Sequence, residues 1–214
     1  MEPGAVSLKT IGLATAGILA VEAILRWVAP RTAVPPLGLI AAARVIDLLW
    51  IAWVVHRWGP GARRLGIDRE TWTAGLWKGC VWSAAFGATA AAGYVVLHLA
   101  GADPARLLGV TPARPPDLVP LLVTGGVIAP VVEEVYFRGL VFGWLRRWGV
   151  WAALLVSTAL FAGLHSAGGG LPLTQLVGGI VFAAAYEIER NLLVPIIIHV
   201  LGNLALFTLP YLPC

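Results

Sequence analysis

Pro130-Val131-Val132-Glu133-Glu134-Val135-Tyr136-Phe137-Arg138-Gly139 places two acids and a base inside an apolar run that extends over about 118–146. A run of that length exceeds the ~20 residues that cross ~30 Å of hydrocarbon as a helix. Charges at membrane depth each cost about 2.5–3.5 kcal/mol on insertion scales, so an acidic pair there points to function or to a committed ion pair. Gly125-Gly126 and Pro130 precede the acids and predict a kink or local unwinding, because proline removes a backbone hydrogen bond and crowds the preceding turn.

The rest of the chain repeats the pattern. Its 214 residues are 59% hydrophobic and 12% charged, with a mean hydropathy of +0.84. Apolar blocks at about 8–28, 36–56, 76–100, 118–146, 150–165, 171–186 and 192–209 read as seven spans, and the alternating pattern of a membrane barrel is absent. The expected fold is an all-α, polytopic transmembrane bundle of seven to eight spans. It is expected to form one domain, with spans over 1–117 walling a core formed by the last four, at 118–209. Two internal ion pairs are expected, Glu22 with Arg26 at i,i+4 and Arg44 with Asp47 at i,i+3. Glu22 and Arg26 also mark the first span as retained rather than as a cleaved signal peptide.

Charge sets orientation rather than partners. Lys9, Arg57, Arg63, Arg64, Arg69, Lys78, Arg146, Arg147 and Arg190 fall at one set of span ends, and Arg31, Arg106 and Arg114 at the other. The asymmetry predicts a cytoplasmic N-terminus in a bacterial inner membrane, with Trp58, Trp72, Trp77, Trp144, Trp148 and Trp151 at the inner boundary. A net charge of +4 spread over span ends gives no nucleic-acid face. Cys80 and Cys214 show neither disulfide nor zinc spacing.

Polar residues in the last four spans are few: Glu133, Glu134, Arg138, His165, His199 and Asn203 stand out. Glu134 and Arg138 share a helix face with the acid first, the favourable order for a pair, while Glu133 points about 100° away. Counted from the turn at 147–149, Glu133 lies about fourteen residues deep and His165 about sixteen, similar depths at ~1.5 Å per residue. His199 and Asn203 share one face of the last span. From its own end that span puts His199 only ~10–14 Å deep, against ~22 Å for Glu133. An interfacial segment within 138–148, where Trp144, Arg146, Arg147 and Trp148 suit the membrane surface, is expected to close the gap. A carboxylate beside an imidazole can deprotonate a water, and a second imidazole with an amide can donate to the oxygen that becomes negative in acyl transfer. Ser157 and Ser166 lack a Gly-x-Ser-x-Gly setting.

Taken singly, each element has a plainer reading: a lone intramembrane His as a packing hydrogen-bonder, the Glu-Glu-x-x-x-Arg cluster as an ion pair or proton relay. Together, Glu133-Glu134-x-x-x-Arg138, Phe161-x-x-x-His165 and His199-x-x-x-Asn203 resemble, in order, the motifs of the CAAX protease and bacteriocin-processing family of intramembrane glutamic proteases, which includes the CAAX prenyl endopeptidase. The resemblance implies Glu133 as general base, His165 helping to hold the attacking water, His199 with Asn203 as oxyanion site, and Glu134 with Arg138 organising the site. It implies no cofactor or metal, and a protein or peptide substrate, membrane-anchored or lipidated, cut near the membrane surface. Two rivals use the same residues: a zinc metalloprotease, which lacks the His-Glu-x-x-His signature, and a non-enzymatic scaffold or immunity protein.

Overall fold

A computed structural model describes residues 6–108, 115–166 and 172–211. Arg114, the Pro-rich stretch around Pro112 and Cys214 lie outside them. The described residues form seven long helices and no strand, as the continuous apolar blocks predict. They are α1 (Leu8–Val28), α2 (Pro36–Trp58), α3 (Trp72–Leu99), α4 (115–145), α5 (Val150–His165), α6 (Leu173–Glu189) and α7 (Leu193–Thr208). By length and composition α1, α2, α3, α4 and α7 suit a membrane crossing. At 16 and 17 residues, α5 and α6 fall short of that length, whereas α7 reaches 19 with the turn that continues it to Tyr211.

Local chemistry sets the ends. Ser7 caps α1 by accepting from the Thr10 amide, and Pro36 starts α2 at a position where its missing N–H costs nothing. Gly149, with φ of 100°, turns the chain between α4 and α5. Exposed Trp72, Trp77, Trp148 and Trp151 gather at the end where Ser7 and Gly149 lie.

Helix α4 is the hub, packing on α1, α2, α5, α6 and α7, while α3 leans on α7. It is continuous but irregular. Thr124–Ile128 and Val135–Phe142 are π-helical, flanking the regular turn Ala129–Glu134 that carries the acids. The expected disturbance near Pro130 is thus a widened helix, a form that recurs at functional sites. Freed carbonyls need partners in a membrane, and one is met from α7, as described below.

Two expectations change. Glu22 pairs with Arg44 of α2 rather than with Arg26 of its own helix, and Arg44 also holds Asp47 at 2.6 Å. Asp47 is fully buried, so its charge requires the cation that Arg44 brings to it. The second change concerns depth. Of the stretch 138–148, the helix runs through to Leu145 and only the turn Arg146–Trp148 departs from it, too short to close the gap. The gap closes because α7 starts deeper in the bundle. A side chain at Gly139 would meet Leu65 and Leu192, so the start of α7 lies level with Gly139 rather than with Trp148. From that level His199 is seven residues along and Glu133 six, ~10 and ~9 Å.

The recess is filled by the polar loop after α2. Leu65 is buried, and its carbonyl accepts from the Tyr186 hydroxyl. Gly66 accepts from the Leu192 amide. Gly66 has φ of 79°, and a Cβ there would lie 2.7 Å from the Arg190 carbonyl, so only glycine fits.

Candidate active site

The acids separate as their helix positions require. Glu134 and Arg138 are both fully buried and paired at 3.0 Å through Oε1 and Nη1. Arg138 also donates from Nη2 to the Gly179 carbonyl at 3.3 Å. Its guanidinium carbon stands 4.7 Å from the Phe161 ring centre, 5.3 Å from Phe182 and 5.9 Å from Phe137. Three π faces around a desolvated cation are a favourable setting for it.

Glu134 does a second task. Its Oε1 lies 2.7 Å from His199 Nδ1, and the His199 ring stacks on Phe182 at 4.5 Å and 22°. A carboxylate facing an arginine accepts only, so His199 Nδ1 carries the proton and donates. That fixes Nε2 toward Glu133, whose Oε2 is 3.7 Å away. His165 is oriented the same way by different means: Nδ1 lies 2.8 Å from the Phe161 carbonyl, another pure acceptor, and Nε2 stands 4.0 Å from Glu133 Oε1. Glu133 therefore faces one Nε2 with each oxygen. Its side chain is 23% exposed and that of His165 33%, whereas His199 is at 5%.

Asn203, one turn beyond His199, donates from Nδ2 to the Gly125 carbonyl at 2.9 Å. Gly125 belongs to the first π-helical stretch, so this amide meets a backbone group that the widened helix presents. Its second N–H is left for another acceptor.

Five of the six residues singled out in the sequence, Glu133, Glu134, Arg138, His165 and His199, are linked by these contacts from α4, α5 and α7; Asn203 meets α4 at Gly125, eight residues before Glu133. Others were not foreseen: the Gly125 and Gly179 carbonyls and the Phe182 ring. The pair Gly178-Gly179 hinted at close approach, and a Cβ on Gly179 would lie 2.9 Å from Thr158; Phe182, inside an apolar span, carried no distinguishing signal. Among the described residues no three His, Cys, Asp or Glu side chains are grouped to hold a metal ion.

Comparison with known proteins bears out the resemblance over the core. Residues 115–205 match the Type II CAAX prenyl endopeptidase Rce1-like family. A protein of Escherichia coli described as an uncharacterized 24.3 kDa protein is 32% identical over 89 residues, 39% of this chain and 41% of the relative. The chain thus matches about two fifths of that relative's length. No solved structure matches.

Proposed function

With residues 115–205 falling in the Rce1-like family of type II CAAX prenyl endopeptidases, we propose that this chain is an intramembrane endopeptidase in which Glu133 activates the attacking water. The observation that carries this reading is the convergence of His165 Nε2 and His199 Nε2 on the two oxygens of a partly exposed Glu133, at 4.0 and 3.7 Å.

Those distances are too long for direct hydrogen bonds and leave room for a water. A molecule ~2.8 Å from both Glu133 Oε1 and His165 Nε2 would see them at roughly a right angle, close to the angle between its own two O–H bonds. Both groups accept, so the water's protons point at them and its lone pairs face outward toward a peptide carbonyl. Attack forms the C–O bond, moves the carbonyl π electrons to oxygen and passes a proton to Glu133.

From Glu133 the proton can move to His199 Nε2, making an imidazolium held by Glu134 through Nδ1–H. The Nε2–H of that imidazolium and the second N–H of Asn203 are then donors to the oxyanion. With both histidines neutral, Glu133, Glu134 and Arg138 sum to one negative charge, and the proton taken from water brings the cluster to neutrality in a low-dielectric site. Collapse of the tetrahedral species breaks the C–N bond and returns a proton to the leaving amine. Glu134 and Arg138 act here as positioning residues.

The substrate class is a protein or peptide, membrane-anchored, cut toward its C-terminus near the membrane surface. Comparing C-termini of the membrane proteome between cells carrying the parent chain and cells carrying Glu133→Gln tests this. At least one processed C-terminus must disappear in the variant; identical C-termini in both would overturn the reading.

A further inference from the structure

The arginine-rich loop after α2 borders a cavity. It measures about 180 Å³ and is walled by Leu48, Ala52 and Val55 of α2, Leu65 and Ile67 of the loop, and Val135 of α4, with His56 the one polar side chain on its lining. Leu48 to His56 is eight residues, so the cavity runs ~12 Å along α2 from near the end of that helix into the span. Ala52 and His56 are exposed, which leaves it open along the side of α2. Val135 is two residues from Glu133 and about 200° round the helix, so this space lies across α4 from the carboxylate and histidines of the candidate site.

Elementary chemistry narrows what fills it. An ordered water needs two to four polar partners, and His56 is the one polar side chain there; dry apolar cavities take apolar guests. Left empty, the lining would forgo its dispersion contacts. In a bilayer the guest at hand is an acyl chain, and the charge around the cavity selects what that chain carries. Residues 57–71 hold four arginines against two acids, Asp68 and Glu70, and Arg63 pairs with both acids. Arg57, beside His56, is exposed and lies over the Trp58 ring at 5.5 Å, with no acid next to it among the described residues. Lys9 lies over the same ring, and Arg147 donates to the Val6 carbonyl, so the ends of α2 and α4 and the start of α1 form one basic end.

We propose that this cavity binds one acyl chain of an anionic phospholipid from the leaflet at the basic end, with the headgroup phosphate held by Arg57 and His56. The bound chain packs under the same loop whose Leu65 carbonyl accepts from Tyr186 and whose Gly66 carbonyl accepts from the Leu192 amide, so the lipid supports the loop that seats the start of α7. It is a ligand of the fold, independent of what Glu133 acts on.

Crosslink mapping tests this on the full chain reconstituted in vesicles of equal phosphatidylglycerol and phosphatidylcholine, with a trace of one or the other carrying a diazirine near the end of an acyl chain. Exposed Val95 and Val96 of α3 give the reference for unselected lipid. Relative to them, crosslinks at 48–67 and at Val135 should favour the phosphatidylglycerol label about tenfold or more. Arg57→Gln should lower that preference about fivefold, the worth of one arginine near an anionic surface. Ala52→Phe fills the cavity from its open side and should remove the Val135 crosslink while leaving those on α3. Ala62→Phe fills it from the loop and gives the same readout if the first variant does not fold. Equal labelling of 48–67 by the two lipids, an unchanged preference in Arg57→Gln, no lipid crosslink there because another chain covers the cavity, or a folded Ala52→Phe protein that keeps the Val135 crosslink would overturn the proposal.

Discussion

Arg138→Met is the perturbation whose cost can be worked out most fully. The substitution keeps an unbranched apolar stem among Phe137, Phe161 and Phe182 but removes the cation that stands 3.0 Å from Glu134 and the donor to Gly179. Glu134 is then a carboxylate with no exposure and His199 as its one remaining partner. Breaking a buried pair by removing one member costs about 3–5 kcal/mol, because the other charge is left uncompensated. Adding Glu134→Gln removes the orphaned charge while leaving an amide oxygen to accept from His199 Nδ1. The double variant should therefore recover most of the loss, with a coupling energy of about 1–3 kcal/mol between the two positions. Reversible unfolding in mixed micelles, followed by tryptophan fluorescence, measures all four corners of the cycle. If Arg138→Met lies within about 1 kcal/mol of the parent, or the two losses simply add, the buried pair is not what holds this site.

Further consequences follow from other contacts. Gly66→Ala puts a Cβ 2.7 Å from the Arg190 carbonyl at a residue with φ of 79°, and should destabilise by about 1–3 kcal/mol in the same unfolding assay. Arg44→Met leaves fully buried Asp47 without its cation, and should cost at least about 3 kcal/mol, with partial rescue by Asp47→Asn. Asn203→Ala frees the Gly125 carbonyl and removes the amide proposed as an oxyanion donor; the expected result is a fall in kcat of about 10²–10³, with KM changed far less.

The helices were legible because each apolar block is long and is bounded by proline, glycine or arginine, signals that act within a few residues. The Glu134–Arg138 pair was legible for the same reason: i,i+4 spacing is a property of one helix. What needed the fold was everything between helices. Glu22 prefers Arg44 across the α1–α2 contact over Arg26 one turn away, because buried Asp47 already fixes Arg44 there. The level of His199 depended on a recess filled by Leu65 and Gly66, which no count along a single span could reveal. The histidine tautomers follow from Glu134 and the Phe161 carbonyl, acceptors known only once the side chains are placed. The widened turns around Ala129–Glu134 left only a trace in the sequence, as Gly125-Gly126 and Pro130.

Glu133 is proposed to carry out the proton transfer of peptide hydrolysis. Its most direct test is the single-turnover cleavage rate of purified Glu133→Gln against the parent, on a substrate found by the C-terminal comparison, with unfolding and metal content measured on the same samples. A loss of about 10²–10⁴-fold with unchanged unfolding is expected. Near-parental cleavage by a folded Glu133→Gln protein, or activity that is removed by a chelator and restored by zinc, would contradict it.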